Sequence, residues 1–160
     1  MNHRQHLRLS AEKRQAINLT SNPVWRAFAA DPMTQAKQVD LALAARAAYD
    51  EIAQGRGLDV HVDTLACAAN VSLVLSERGF GPECEPKIIE AQVALMRIKA
   101  RMQRGLSIGL DGPGAQDLRD LLDTHEQQIA HAGKAEVASA LIEVRSRMIK
   151  GQTLETLEIA

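Results

Sequence analysis

The segment EAQVALMRIKARMQRG at residues 90–105 returns, lightly altered, as EVASALIEVRSRMIKG at residues 136–151. At an offset of 46 the two copies share Glu90/Glu136, Ala94/Ala140, Leu95/Leu141, Arg101/Arg147, Met102/Met148 and Gly105/Gly151. Ile98/Val144, Lys99/Arg145 and Arg104/Lys150 are conservative pairs between them. Apolar residues at spacings of three and four, closed by glycine, describe an amphipathic helix with its own stop. Two such helices in one chain predict an all-α protein of helices laid side by side.

The rest of the chain fits that reading. Helix one is expected over about 35–54, with Leu41, Ala45, Ala48 and Ile52 on one stripe and Gly55 after it. Helix two, about 59–78, carries LACAANVSLVL, apolar almost all round, and should be the buried central helix. Asp59 or Asp63 can serve its N-terminus and Gly79 closes it. Helix three, about 86–104, presents Ile88, Ala91, Leu95, Ile98 and Met102 as a narrow seam. Helix four follows Leu-Asp-Gly-Pro-Gly, with Pro113 in its first turn and Leu118, Leu121, Leu122, His125 and Ile129 on its apolar face. Gly133 should end it, and helix five, with Val137, Leu141, Val144 and Met148, then folds back as an antiparallel hairpin. No stretch alternates with period two for long enough to make a strand. The expected fold is five helices in a bundle or stacked-hairpin array, occupying residues 34–155 behind an N-terminal arm of residues 1–33.

Only four aromatic residues, Trp25, Phe28, Tyr49 and Phe80, are present, so aliphatic side chains must build the core. The same scarcity argues against a base-stacking platform for nucleic acid. Charge is uneven. Residues 1–26 hold five basic side chains (Arg4, Arg8, Lys13, Arg14 and Arg26) against Glu12, a net +4, whereas residues 27–160 hold 14 basic and 19 acidic, a net −5. The basic arm can meet an anionic partner or simply be solvated, and Trp25 and Phe28 can anchor it on the body. No apolar signal stretch opens the chain and no run approaches a membrane span, so a cytoplasmic location away from membranes is expected.

Motifs for catalysis are missing: there is neither a phosphate-cradling glycine loop nor a nucleophile elbow. His125-Glu126-Gln127-Gln128-Ile129 begins like a zinc-protease helix, but position 129 is isoleucine and His131 falls on another face. Cys67 reads as a small core residue, and Cys84, between Glu83 and Glu85, as a poor nucleophile. No catalytic residue, metal or cofactor is expected. His125 and Asn70 are polar residues on apolar faces. His125 is either a packed, hydrogen-bonded core histidine or an acid–base group, and Asn70 either a hydrogen-bonded amide that fixes helix register or part of a ligand site. Asp117, Asp120 and Asp123 recur as a solvated face.

The strongest surface feature is basic. Arg97, Arg101 and Arg104 lie opposite the seam of helix three, with no acid between Ala91 and Leu110, and Arg147 and Lys150 hold matching places in the second copy. Packed side by side, the copies would merge these five into one cationic strip for phosphates or an acidic protein. The loop Gly-Phe-Gly-Pro-Glu-Cys-Glu-Pro at 79–86 is a second candidate, with Phe80, Glu83 and Glu85 either as a recognition tip or with Phe80 folded under as a cover.

The stretch HVDTLACAANVSLVLSERGFG, with the Ala-Leu-x-x-[Ile/Val]-[Lys/Arg]-x-Arg-Met unit that follows it twice, resembles small helical accessory proteins of proteobacterial plasmids, integrative elements and prophages. The resemblance spans about residues 23–151. Some of those proteins carry the label of Fis-type transcriptional regulators. Such a reader needs a polar recognition helix, and EVASALIEVRSRMIK departs from that by its apolar seam and merely basic end. The resemblance implies a mobile-element accessory protein. Two functions are consistent with it: a non-enzymatic regulator or inhibitor that binds a protein, for instance one of host defence or replication, and a DNA-binding regulator that uses the arm and the strip. The seams of helices three and five also allow a homodimer.

Overall fold

In a computed structural model the described residues are 16–17 and 35–154. The helices are α1 (Gln35–Ala53), α2 (Asp59–Glu77), α3 (Glu85–Gln103) and α4 (Gly112–Ile149), with a 3₁₀ turn at Pro82–Cys84 before α3. Two-residue strands β1 (Ala16–Ile17) and β2 (Thr153–Leu154) pair in parallel, Ala16 opposite Thr153 and Ile17 opposite Leu154. They are too short to show any alternation in the sequence. β1 lies beside α2 and α4. The remainder of the expected arm, with Arg4, Arg8, Lys13, Arg14, Trp25, Arg26 and Phe28, lies outside the described residues.

α2 is the axis of the bundle and touches each of the other three helices. Every residue from Leu65 to Ser76 is buried, more than three full turns, as a run apolar almost all round requires, and Asn70, Ser72 and Ser76 are the polar residues enclosed with it. Around it pack Leu41, Ala45, Ala48 and Ile52 of α1, Ile88, Ala91, Leu95 and Ile98 of α3, and Leu118, Leu121, Ile129, Val137, Leu141 and Val144 of α4. The seams are thus satisfied within one chain. Among the described residues no helix is long and apolar enough to cross a membrane.

Among the described residues four α-helices are found where five are expected. The fourth and fifth form one element, broken at Gly133, whose φ of 75° and ψ of 174° are non-helical. This pair of angles belongs to a region open essentially to glycine alone. One residue therefore turns the chain, and helical structure resumes without a loop. At the other end, the Asp111 carboxylate caps α4 by accepting from the Gly114 N–H at 2.6 Å, with Pro113 in the first turn.

The two matching segments end alike. After α3 the Gly105 N–H donates to the Met102 carbonyl and the Leu106 N–H to that of Arg101, at 2.9 and 3.1 Å. After α4 the Gly151 N–H donates to Met148 and the Gln152 N–H to Arg147, at 3.1 and 2.8 Å. Positive φ at Gly105 and Gly151 makes this paired C-terminal closure possible.

Candidate interaction surface

The two basic copies do not merge into one strip. Lys99 of α3 pairs with Asp63 in the first turns of α2 at 2.9 Å, whereas Arg147 of α4 pairs with Glu77 at the last residue of α2. Asp63 and Glu77 are 14 residues apart on one helix, a rise of about 21 Å. Arg97, Arg101 and Arg104 therefore lie toward one end of the bundle, and Arg147 and Lys150 toward the other.

Equivalent residues also meet different fates. Arg147 is only 15 % exposed; its guanidinium donates to both carboxylate oxygens of Glu77, at 3.2 and 2.5 Å, and its Nε donates to Glu143 at 2.9 Å. This clamp holds the Glu143 carboxyl below its ordinary pKa and leaves Arg147 little capacity for a ligand. Arg97 is half-buried beside Asp111, Nε to Oδ2 at 3.4 Å. Arg101 and Arg104 are exposed, and neither has a partner among the described residues. Lys150 is exposed at the close of α4.

Around Arg101 and Arg104 the surface is partly apolar. The loop after α1 meets the loop after α3, where Ile108 packs against Gly57 so closely that a Cβ on Gly57 would fall 2.7 Å from it. Leu58 and Leu106 stand on these adjoining loops, 60 % and 53 % exposed. The end of the bundle thus offers two leucines and two unpaired guanidiniums. Each leucine directly follows a glycine, in Gly57-Leu58 and Gly105-Leu106. The same dipeptide at Gly109-Leu110 carries a half-buried leucine, so it did not mark the exposed ones, and spacing along a helix says nothing about two loops that meet in space.

In the loop 79–86 the aromatic and acidic residues are placed differently. Phe80 is half-buried against the core, its N–H bonded to the Leu75 carbonyl and its own carbonyl accepting from Gln128 Nε2 at 2.8 Å. Ser76 Oγ donates to the Gly81 carbonyl at 3.0 Å. Glu83 is exposed and Glu85 half-buried, so the aromatic side chain and the acidic pair do not form one outward tip.

The polar residues on apolar faces form a track along α2. Gln92 Nε2 of α3 donates to Asn70 Oδ1 at 3.1 Å, His125 Nδ1 of α4 lies 2.9 Å from Ser72 Oγ, and Gln128 Nε2 donates to the Ser72 carbonyl at 3.1 Å. Burial lowers the His125 pKa to about 4 and pushes the Cys67 thiol up to about 12. Groups held neutral and enclosed in this way specify helix register. His131, by contrast, is exposed, its Nδ1 2.7 Å from the Gln127 carbonyl. Asp123 is not merely solvated: with Glu126 it binds Arg46 of α1, at 2.8 Å for Asp123, while Asp120 meets Lys87 at 3.5 Å. Among the described residues no three His, Cys, Asp or Glu side chains are placed to hold a metal ion.

No family model, curated protein or solved structure matches the chain.

Proposed function

We propose that this protein is a non-enzymatic regulatory or inhibitory binding protein of a mobile genetic element, acting by contact with another protein. The observation that carries the reading is the end of the bundle where exposed Leu58 and Leu106 adjoin unpaired Arg101 and Arg104. Exposed aliphatic anchors rimmed by charges suit a protein partner with an apolar, acidic surface. The mobile-element origin rests on the resemblance of residues 23–151 to plasmid and prophage accessory proteins, and a host defence or replication protein is the partner that origin suggests.

DNA binding is the alternative. It keeps Arg97, Arg101 and Arg104, but Arg147 is engaged by Glu77 and, with Lys150, lies toward the other end of α2. A phosphate track of five contacts has no single surface here.

The test compares wild type with a Leu58→Glu, Leu106→Glu, Arg101→Glu, Arg104→Glu variant in pull-downs from host lysate at moderate salt. The reading expects one stoichiometric protein partner, lost in the variant. No stoichiometric partner, or one that the variant retains, overturns it. A gel shift on the protein's own upstream DNA serves the alternative: binding that weakens steeply with salt and is lost in Arg101→Ala, Arg104→Ala would support DNA.

A further inference from the structure

The second half of α4 carries apolar residues on two faces. Val137, Ala140, Leu141 and Val144 face the core. At 100° per residue, Ala135, Ala138, Ile142 and Ile149 fall on the opposite side with Arg145 beside them. Ile142 is 69 % exposed and Ile149 76 %, so an aliphatic stripe two turns long faces solvent.

Forty-six residues earlier the first part of this stripe is covered: Ala135, Ala138, Ile142 and Arg145 correspond there to Ile89, Gln92, Met96 and Lys99, whereas the counterpart of Ile149 is exposed Gln103. Met96 is only 5 % exposed, Gln92 bonds to Asn70, and Lys99 pairs with Asp63. α2 is the helix that lies on it. The second copy has the same kind of stripe and no helix on it among the described residues.

Charge selects the occupant. The acidic residues of this half-helix are engaged, Glu136 by Arg78 at 3.2 Å and Glu143 by Arg147 at 2.9 Å. Lys134, Arg145 and Lys150 are exposed and flank the stripe on both sides; Lys134 and Arg145 have no partner among the described residues, and Lys150 lies within electrostatic reach of Glu143. A second copy of the chain would set these cations against their own kind, which disfavours self-pairing. An acidic helix meets them favourably, as Asp63 of α2 meets Lys99.

We infer that the outer face of α4 around Ile142, Arg145 and Ile149 is a second docking surface, and that its partner is an acidic amphipathic helix of another protein. The helix lays its apolar side on Ile142 and Ile149 and its carboxylates on Lys134, Arg145 and Lys150.

Three fluorescein-labelled, helix-forming peptides test this by anisotropy against the full chain. Two share one leucine stripe, flanked by glutamates in one and by lysines in the other; the third copies residues 134–150. The glutamate peptide should bind, and Ile142→Glu should weaken it by about tenfold or more. Lys134→Glu with Arg145→Glu should transfer the preference to the lysine peptide. These positions are exposed, so each variant should melt as wild type does. Changing Leu58, Leu106, Arg101 and Arg104 should leave binding intact, which keeps this face separate from the first. Equal binding of the two leucine peptides, binding indifferent to Ile142→Glu, tightest binding by the 134–150 peptide, or no binding at all would each overturn the proposal.

Discussion

His125 of α4 places its Nδ1 2.9 Å from the Ser72 hydroxyl of α2, with both side chains buried. The pair joins the central helix to the longest one through two groups that must stay uncharged, which gives the fold a defined response to acid.

Burial holds the His125 pKa near 4 in the folded protein, against 6.5 ordinarily. Below pH 6.5 the unfolded chain takes up a proton that the folded chain refuses. Stability therefore falls as the pH falls from 6.5 to about 4, by roughly 3 kcal/mol at the lower end. Glu126 and Glu143, with pKa values lowered chiefly by bonds to Arg46 and Arg147, act in a more acidic window: their contribution is present above the ordinary carboxylate pKa and is lost below it. Denaturant titrations at half-unit pH intervals should show the His125 slope in wild type and a flatter curve between pH 6.5 and 4.5 in His125→Gln. An equal slope in both would assign the acid sensitivity elsewhere.

Arg147→Ala should destabilise the protein by roughly 2 kcal/mol, less than the 3–5 kcal/mol of a fully buried pair, because Glu77 and Arg147 each keep some solvent. Arg101→Ala, at the matching position, should leave the melting temperature within a degree or so, as an exposed side chain without a partner contributes little. Thermal melts of the two variants in one buffer make the comparison, and similar losses in both would mean that Arg101 has a structural role.

That contrast shows how far the sequence could be read. Local periodicity located the seams of Leu95, Ile98, Leu141 and Val144, all of which are buried, and the glycines that close α3 and α4. It also marked Asn70 and His125 as polar residues in apolar surroundings. What it lacked was the third dimension. Arg101 and Arg147 look identical in their segments, and only Glu77, 70 residues before Arg147, separates a clamp from a free cation. The break at Gly133 was legible as a stop with the next helix close behind it, but nothing local showed that a single residue would join the two into one kinked element.

Gly133→Ala isolates the energetics of that break. No heavy atom lies within 4 Å of where its Cβ would be, so the substitution meets no clash. The penalty is conformational, since φ of 75° with ψ of 174° is strained for any other residue, and about 1–3 kcal/mol should be lost. Chemical denaturation measures it directly. A loss no greater than that of an exposed Ala135→Gly control would show that α4 tolerates another path between its halves.

Phe80→Ala separates cover from recognition tip at the loop 79–86. The backbone bonds of residue 80, to Leu75 and from Gln128, survive the change; only the ring packed against the core is removed. A half-buried ring should give up part of the 3–5 kcal/mol typical of a fully buried phenylalanine, about 1–2 kcal/mol, and lower the melting temperature by several degrees. Glu83→Ala, an exposed change on the same loop, should leave melting unchanged. With partner in hand, the recognition alternative demands the reverse for Phe80→Ala, normal melting and weakened binding. The ring's contact with the core favours the thermal effect, because a side chain that closes the end of α2 cannot also stand clear of it to anchor a partner.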